Sequence, residues 1–131
     1  MAEADSELVL TSTATASKAA RTMLVDCAGP FVTARVLGDA KLLVTELVAN
    51  SFAHGGLSAH DRIVVRMRLT AAVLRLEVSN PGTAGTIETN GKDPKGRLGH
   101  GLEMVRRLSE SWGVERGPDT CVWAEIARDA R

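Results

Sequence analysis

Hydrophobic and polar positions change period several times along this chain, and each change marks an element. The longest helical stretch runs from Asp39 to Gly56, DAKLLVTELVANSFAHGG. It holds no Pro, its only glycines close it, and apolar residues recur at helical spacing. They go almost all the way round, with Leu42, Ala49 and Ala53 on one side of a polar stripe and Leu43 and Leu47 on the other. On that stripe Glu46 and Asn50 lie about 40° apart, with Asp39 and His54 beside them. A helix apolar on nearly every face is expected to be buried. A carboxylate and an amide in such surroundings must face an internal pocket or find dedicated partners, because unpaired burial is costly. Glu46 and Asn50 are therefore the first candidate site residues, and bonding to neighbouring loops is the plainer alternative.

Before this helix, Glu7–Thr13 suits a strand and Ala14–Ala28 a helix, with Ala19, Met23 and Cys27 recurring at i+4. Gly29-Pro30 breaks it. After it, Arg62–Leu69 and Val73–Ser79 alternate as strands across a hairpin-length connection, Thr70-Ala71-Ala72. From Asn80 to Leu98 the chain is rich in Gly and Pro and has no apolar period, which predicts a long functional or mobile loop. Gly99–Ser111 predicts a third helix with Leu102, Val105, Leu108 and Trp112 on one face. Strands Gly113–Arg116 and Cys121–Ala127 end the chain, and both Trp112 and Trp123 are expected in the core. Strands joined by hairpins make a mixed, mostly antiparallel sheet of about five strands, with three helices on one face. That is a two-layer α/β (α+β) sandwich, with room between the layers near the long loop for a flat ligand.

Composition narrows the function classes. The 131 residues suit a single domain with a real core. Sixteen basic residues balance sixteen acidic ones, so no net field draws nucleic acid or an anionic membrane. Two cysteines, Cys27 and Cys121, fit neither a disulfide framework nor a metal-ligand spacing, and are expected as free, buried thiols. The acidic start, MAEADSELVL, lacks the features of a signal peptide, and no apolar run reaches the roughly 18 residues of a membrane span. A cytoplasmic protein is expected.

Two Gly-bearing segments add chemistry. In Val78-Ser79-Asn80-Pro81-Gly82 a strand ends on a turn signal. Gly96-Arg97-Leu98-Gly99-His100-Gly101-Leu102 runs straight into the third helix. Glycines at a helix entry let backbone approach a ligand, and the free N–H groups there favour anions. Lys92, Lys95 and Arg97 stand beside it and could neutralise phosphate. No strand leads directly into the segment, and it lacks the Gly-Lys-Ser/Thr ending of a P-loop.

Taken together, Glu46-x-x-x-Asn50, Asn80-x-Gly82 and Gly99-x-Gly101-Leu102 resemble, in order and approximate spacing, the N, G1 and G2 boxes of the GHKL (Bergerat-fold) ATPases. Within that superfamily the chain looks most like the small bacterial anti-sigma factor serine kinases of the RsbW/SpoIIAB type. Thr45–Gly55 is close to their N box, and Asp119-Thr120-Cys121-Val122-Trp123 is similar to their terminal strand. The resemblance covers about residues 7–127, with residues 83–98 as a mobile ATP lid.

The resemblance implies ATP and Mg²⁺ as ligands. Glu46 would orient or deprotonate the attacking hydroxyl or water, and Asn50 would coordinate Mg²⁺ through its side-chain oxygen. Gly99, His100 and Gly101 would turn backbone N–H groups to the phosphates, with Leu102 closing the box, and Thr120 would lie beneath the adenine. Arg97 would reach a phosphate or stand as a solvated lid charge. His54 is either the N-box ending or a buried structural histidine. Asn80 departs from the family, which has an Asp there to accept from the adenine amino group. An amide accepts the same bond but also donates, so altered nucleotide selectivity is expected. The implied partners are a sigma factor and an anti-anti-sigma (STAS-type) protein, in a homodimer formed through the first strand and helix, with no direct contact to nucleic acid or membrane. A nucleotide-regulated module that sequesters its partner without phosphoryl transfer is the alternative. So few residues before the first strand imply no phospho-accepting histidine domain, and no middle domain supports a chaperone-type ATPase.

Overall fold

The computed structural model of the chain describes residues 4–11, 15–54, 62–80 and 97–128, with backbone alone at 52–54, 97–102 and 116. Five strands form one sheet: β1 (Ala4–Thr11), β2 (Arg62–Leu69), β3 (Val73–Asn80), β4 (Ser111–Arg116) and β5 (Thr120–Ala127). Their order is β1-β2-β3-β5-β4 and every neighbouring pair is antiparallel. Three helices, α1 (Ala16–Ala28), α2 (Ala34–His54) and α3 (Arg97–Leu108), make the second layer. The expected α+β sandwich is the observed one.

Period-two alternation explains the layering. Ile63, Val65, Met67 and Leu69 of β2, Leu74, Leu76 and Val78 of β3, and Val122, Ala124 and Ile126 of β5 are buried on the helix side. They meet Leu24 of α1 and Val36, Leu43, Val44 and Leu47 of α2. The β2–β3 turn is held by Thr70, whose amide donates to the Val73 carbonyl at 2.9 Å while its Oγ1 accepts from the Ala72 and Val73 amides. The other face of the sheet carries charge in register. Arg66 pairs with Glu7 at 3.1 Å and Arg68 with Asp5 at 3.4 Å. Arg75 bridges Glu77 at 2.7 Å and Glu125 at 2.9 Å. Burial alone would lower the Arg75 guanidinium, but the bonds from its two carboxylates outweigh that and raise it.

Several boundaries differ from the sequence expectation. β1 starts at Ala4 rather than Glu7 and pairs along its whole length with β2, Ala4 against Leu69. α2 starts five residues early because Thr33 caps it, its Oγ1 accepting from the Val36 amide at 3.2 Å. Gly38 lies inside α2, exposed and with open space around it. α2 is not apolar all round in its setting: Leu42 and Ala49 face water on one flank. α3 stops at Leu108, where the Ser109 amide and hydroxyl both bond the Val105 carbonyl. Glu110 then donates to the Glu125 carbonyl at 2.7 Å and the chain enters β4, so Trp112 is a strand residue packed at the margin of the core. Trp123 is not a core residue. It lies half-buried on the open face of the sheet, opposite Gly113, with the Arg75 guanidinium carbon 4.4 Å from its ring centroid. Cys27 and Cys121 are free but only partly buried. No helix among the described residues is long and apolar enough to cross a membrane.

Candidate functional site

The site is built from two buried margins. The first is on α2, whose buried arc comprises Val36, Ala40, Leu43, Val44, Leu47, Val48 and Ser51 facing the sheet. Asn50 lies at the edge of that arc, 8% exposed, and Glu46 stands one turn earlier just beyond it, partly exposed. α1 meets α2 on another side, where Arg21 Nη1 donates to Thr45 Oγ1 at 2.9 Å. Thr45 and Asn50 lie about 140° apart around the helix, so the Glu46–Asn50 flank turns away from α1. Among the described residues Glu46 has no ion pair and no hydrogen bond through its carboxylate, which leaves it available as a proton acceptor.

The second margin is where β3 ends and β5 begins. Asn80 and Thr120 are cross-strand partners. Both face the helix layer, Asn80 1% and Thr120 5% exposed, and they end the apolar rows Leu74-Leu76-Val78 and Val122-Ala124-Ile126. The long-loop expectation began at Asn80, but here it is a paired strand residue.

Hydrogen-bond accounting ties the two margins together. Among the described residues, the buried side-chain atoms without a partner are Asn50 Nδ2, Ser51 Oγ, and both Nδ2 and Oδ1 of Asn80. Each such atom costs free energy in the protein alone, on the order of 1–3 kcal/mol. An occupant offering donors and acceptors between the layers would remove that cost, and a purine nucleotide offers both. Ser51 was not anticipated from the sequence. Its one signal there was position, about 100° on from Asn50 and so pointing at the sheet.

Of the other expected site residues, Arg97, Gly99, His100, Gly101 and Leu102 supply the opening turns of α3, with backbone alone described. The amides that begin a helix have no acceptor within it, which suits an anion. Gly82 and the lid residues 83–96, Lys92 and Lys95 among them, lie outside the described residues, as does the side chain of His54, while Arg97 and Leu98, expected to end the lid, open α3. Among the described residues no three His, Cys, Asp or Glu side chains cluster to hold a metal. A Mg²⁺ held by Asn50 Oδ1 would thus take its remaining oxygens from phosphate and water, the usual situation for this ion.

The fold is that of the GHKL class of ATPase domains. A family model described as the histidine kinase-like ATPase domain matches residues 10–126, and the chain belongs to that family. No curated protein matches the chain.

Proposed function

We propose that this protein is an ATP- and Mg²⁺-dependent serine/threonine kinase of transcription control, which binds a sigma factor and phosphorylates an anti-anti-sigma (STAS-type) partner. The observation that carries the reading is the placing on α2 of a partly exposed carboxylate, with no ion pair among the described residues, one turn before a buried, under-bonded amide. Glu46 takes the proton of the partner's hydroxyl or fixes its direction of attack. Asn50 holds the cation, which supplies charge neutralisation along the phosphates. Leu42, 49% exposed and one turn before Glu46 on the outward flank, offers a protein substrate an apolar contact beside the carboxylate.

A homodimer through β1 and α1 is part of the proposal. β1 is an edge strand, and beside it Leu8, Ala19, Met23 and Cys27 line a largely apolar groove of about 540 Å³. An antiparallel β1–β1 pairing centred on Leu8 sets Glu7 against Val9 and Asp5 against Thr11, with no like charges opposed. Slipping it to centre on Glu7 would oppose two carboxylates.

The test is phosphoryl transfer from radiolabelled ATP·Mg²⁺ to the anti-anti-sigma protein. Glu46→Gln is expected to lower transfer by about 10²–10⁴-fold while ATP binding persists. Partner binding by the wild type without any transfer would reject the kinase reading. It would favour a second one, a sequestering module without catalysis, which the neutral Asn80 in a carboxylate's place supports.

A further inference from the structure

We infer that Asn80 reads the purine as a two-way hydrogen-bonding group, so that this protein accepts 6-oxopurine nucleoside triphosphates as readily as ATP. The inference rests on the proposed nucleotide site and concerns only what that site selects.

Asn80 is 1% exposed and neither its Oδ1 nor its Nδ2 has a partner. An occupant that satisfies both atoms must bring a donor and an acceptor side by side. Fully ionised phosphate oxygens only accept, so they leave Oδ1 orphaned. Free amides suited to anions lie elsewhere, at the start of α3. The edge of a purine base carries the required pair. In adenine the 6-amino group donates and N1 accepts; in a 6-oxopurine the 6-oxygen accepts and N1–H donates.

A carboxylate at position 80 would be acceptor-only when ionised. Against this pair it accepts once, from the 6-amino group of adenine or from N1–H of a 6-oxopurine, and sets its other oxygen against an acceptor. A carboxamide turned about 180° exchanges its donor and acceptor with little change of shape. Asn80 has no hydrogen bond among the described residues to fix one orientation, so both remain open to it. The group beside it is similarly permissive: Thr120, its register partner, donates or accepts by rotation of its hydroxyl. Of the described residues identified at this end of the site, none is a fixed donor or a fixed acceptor.

Calorimetric titration of the intact protein with ATP and with inosine triphosphate, in excess magnesium, tests this directly. Inosine triphosphate exchanges only the 6-amino group and its N1 neighbour, without the extra 2-amino group of guanine. Dissociation constants within about tenfold of each other are expected, against the roughly 10⁴–10⁵-fold rejection produced by a polar site built for one pattern. A larger preference for ATP overturns the inference while leaving the nucleotide site standing. Failure of both nucleotides to bind overturns the site itself and this inference with it. In Asn80→Asp binding of both nucleotides should weaken by at least about tenfold, because with either base one carboxylate oxygen then faces an acceptor. Undiminished affinity for both nucleotides in a folded variant overturns the inference. If burying a carboxylate prevents that variant from folding, the wild-type ratio decides alone.

Discussion

Replacing Asn80 by Leu should make the ligand-free protein more stable and abolish its response to nucleotide. The side chain is buried, faces the helices, and continues the row Leu74, Leu76, Val78. Leu at 80 would extend that row with the same branching of heavy atoms and no polar atoms, its methyl groups being bulkier than the amide oxygen and nitrogen. The wild-type amide carries two atoms without partners that water would satisfy in the unfolded chain. Removing them should stabilise by about 1–3 kcal/mol. At this chain length 1 kcal/mol moves Tm by roughly 3–5 °C, so a rise of about 3–15 °C is expected. Mg·ATP at a hundredfold excess over Kd would add about 2.7 kcal/mol to the wild type and nothing to a variant that cannot bind. Thermal unfolding followed by Trp112 and Trp123 fluorescence, with and without Mg·ATP, separates these effects. A lower Tm for ligand-free Asn80→Leu would show that the amide is satisfied within the fold, and the argument from orphaned atoms would fail.

Ser51→Ala should behave as a smaller copy of that experiment, raising the ligand-free Tm, since it deletes one unpartnered hydroxyl and improves helix propensity. Gly113→Ala should destabilise by about 1–3 kcal/mol in urea titration, because a Cβ there would lie 2.9 Å from Trp123 Cζ2 in a ring held by Arg75; no shift in midpoint would show that the indole moves aside freely. Burial pushes the Cys121 thiol above its ordinary value, against a hydrogen bond with Ser79 that lowers it. The folded protein therefore keeps this proton longer than the unfolded chain, so the stability it contributes is full below the ordinary thiol pKa and is lost as pH rises toward the folded value. Melts at alkaline pH should show a steeper loss for wild type than for Cys121→Ser, and parallel slopes would contradict the burial effect.

The strands were legible because water on one face and core on the other impose alternation, as in Arg62–Leu69. Which face is the core was less legible. In β5 the row Cys121, Trp123, Glu125, Ala127 is nearly as apolar as Val122, Ala124, Ile126, and Glu125, together with Arg75 and Glu77 on the neighbouring strand, settles it. The apolar spacing runs unbroken through Leu108 and so predicts Trp112 in a helix, while the helix ends where the Glu110 amide leaves it to donate to the Glu125 carbonyl. The start of α2 was missed because Gly38 resembles a boundary, whereas the cap is Thr33. Glu46, Asn50, Asn80 and Thr120 were legible as candidates since polar residues inside apolar patterns stand out. Ser51 did not stand out, because a lone Ser in a buried arc passes for a small core residue until its hydroxyl is seen to lack a partner.

The distribution of satisfied and unsatisfied polar groups is itself an argument about function. On the open face of the sheet, where water would solvate an unpaired charge at little cost, Arg66, Arg68 and Arg75 are matched by carboxylates in cross-strand register. In the dry layer between helices and sheet, where an unpaired group is expensive, the described residues leave four atoms without partners, on Asn50, Ser51 and Asn80. A chain that merely tolerated defects would scatter them, and would place them where they cost least. Here they are confined to the C-terminal turns of α2 and the last residue of β3, and two of the three residues belong to the motifs that first pointed to nucleotide binding. Local rules of folding are broken where a ligand would repair them, the pattern expected when stability of the empty protein is given up for binding.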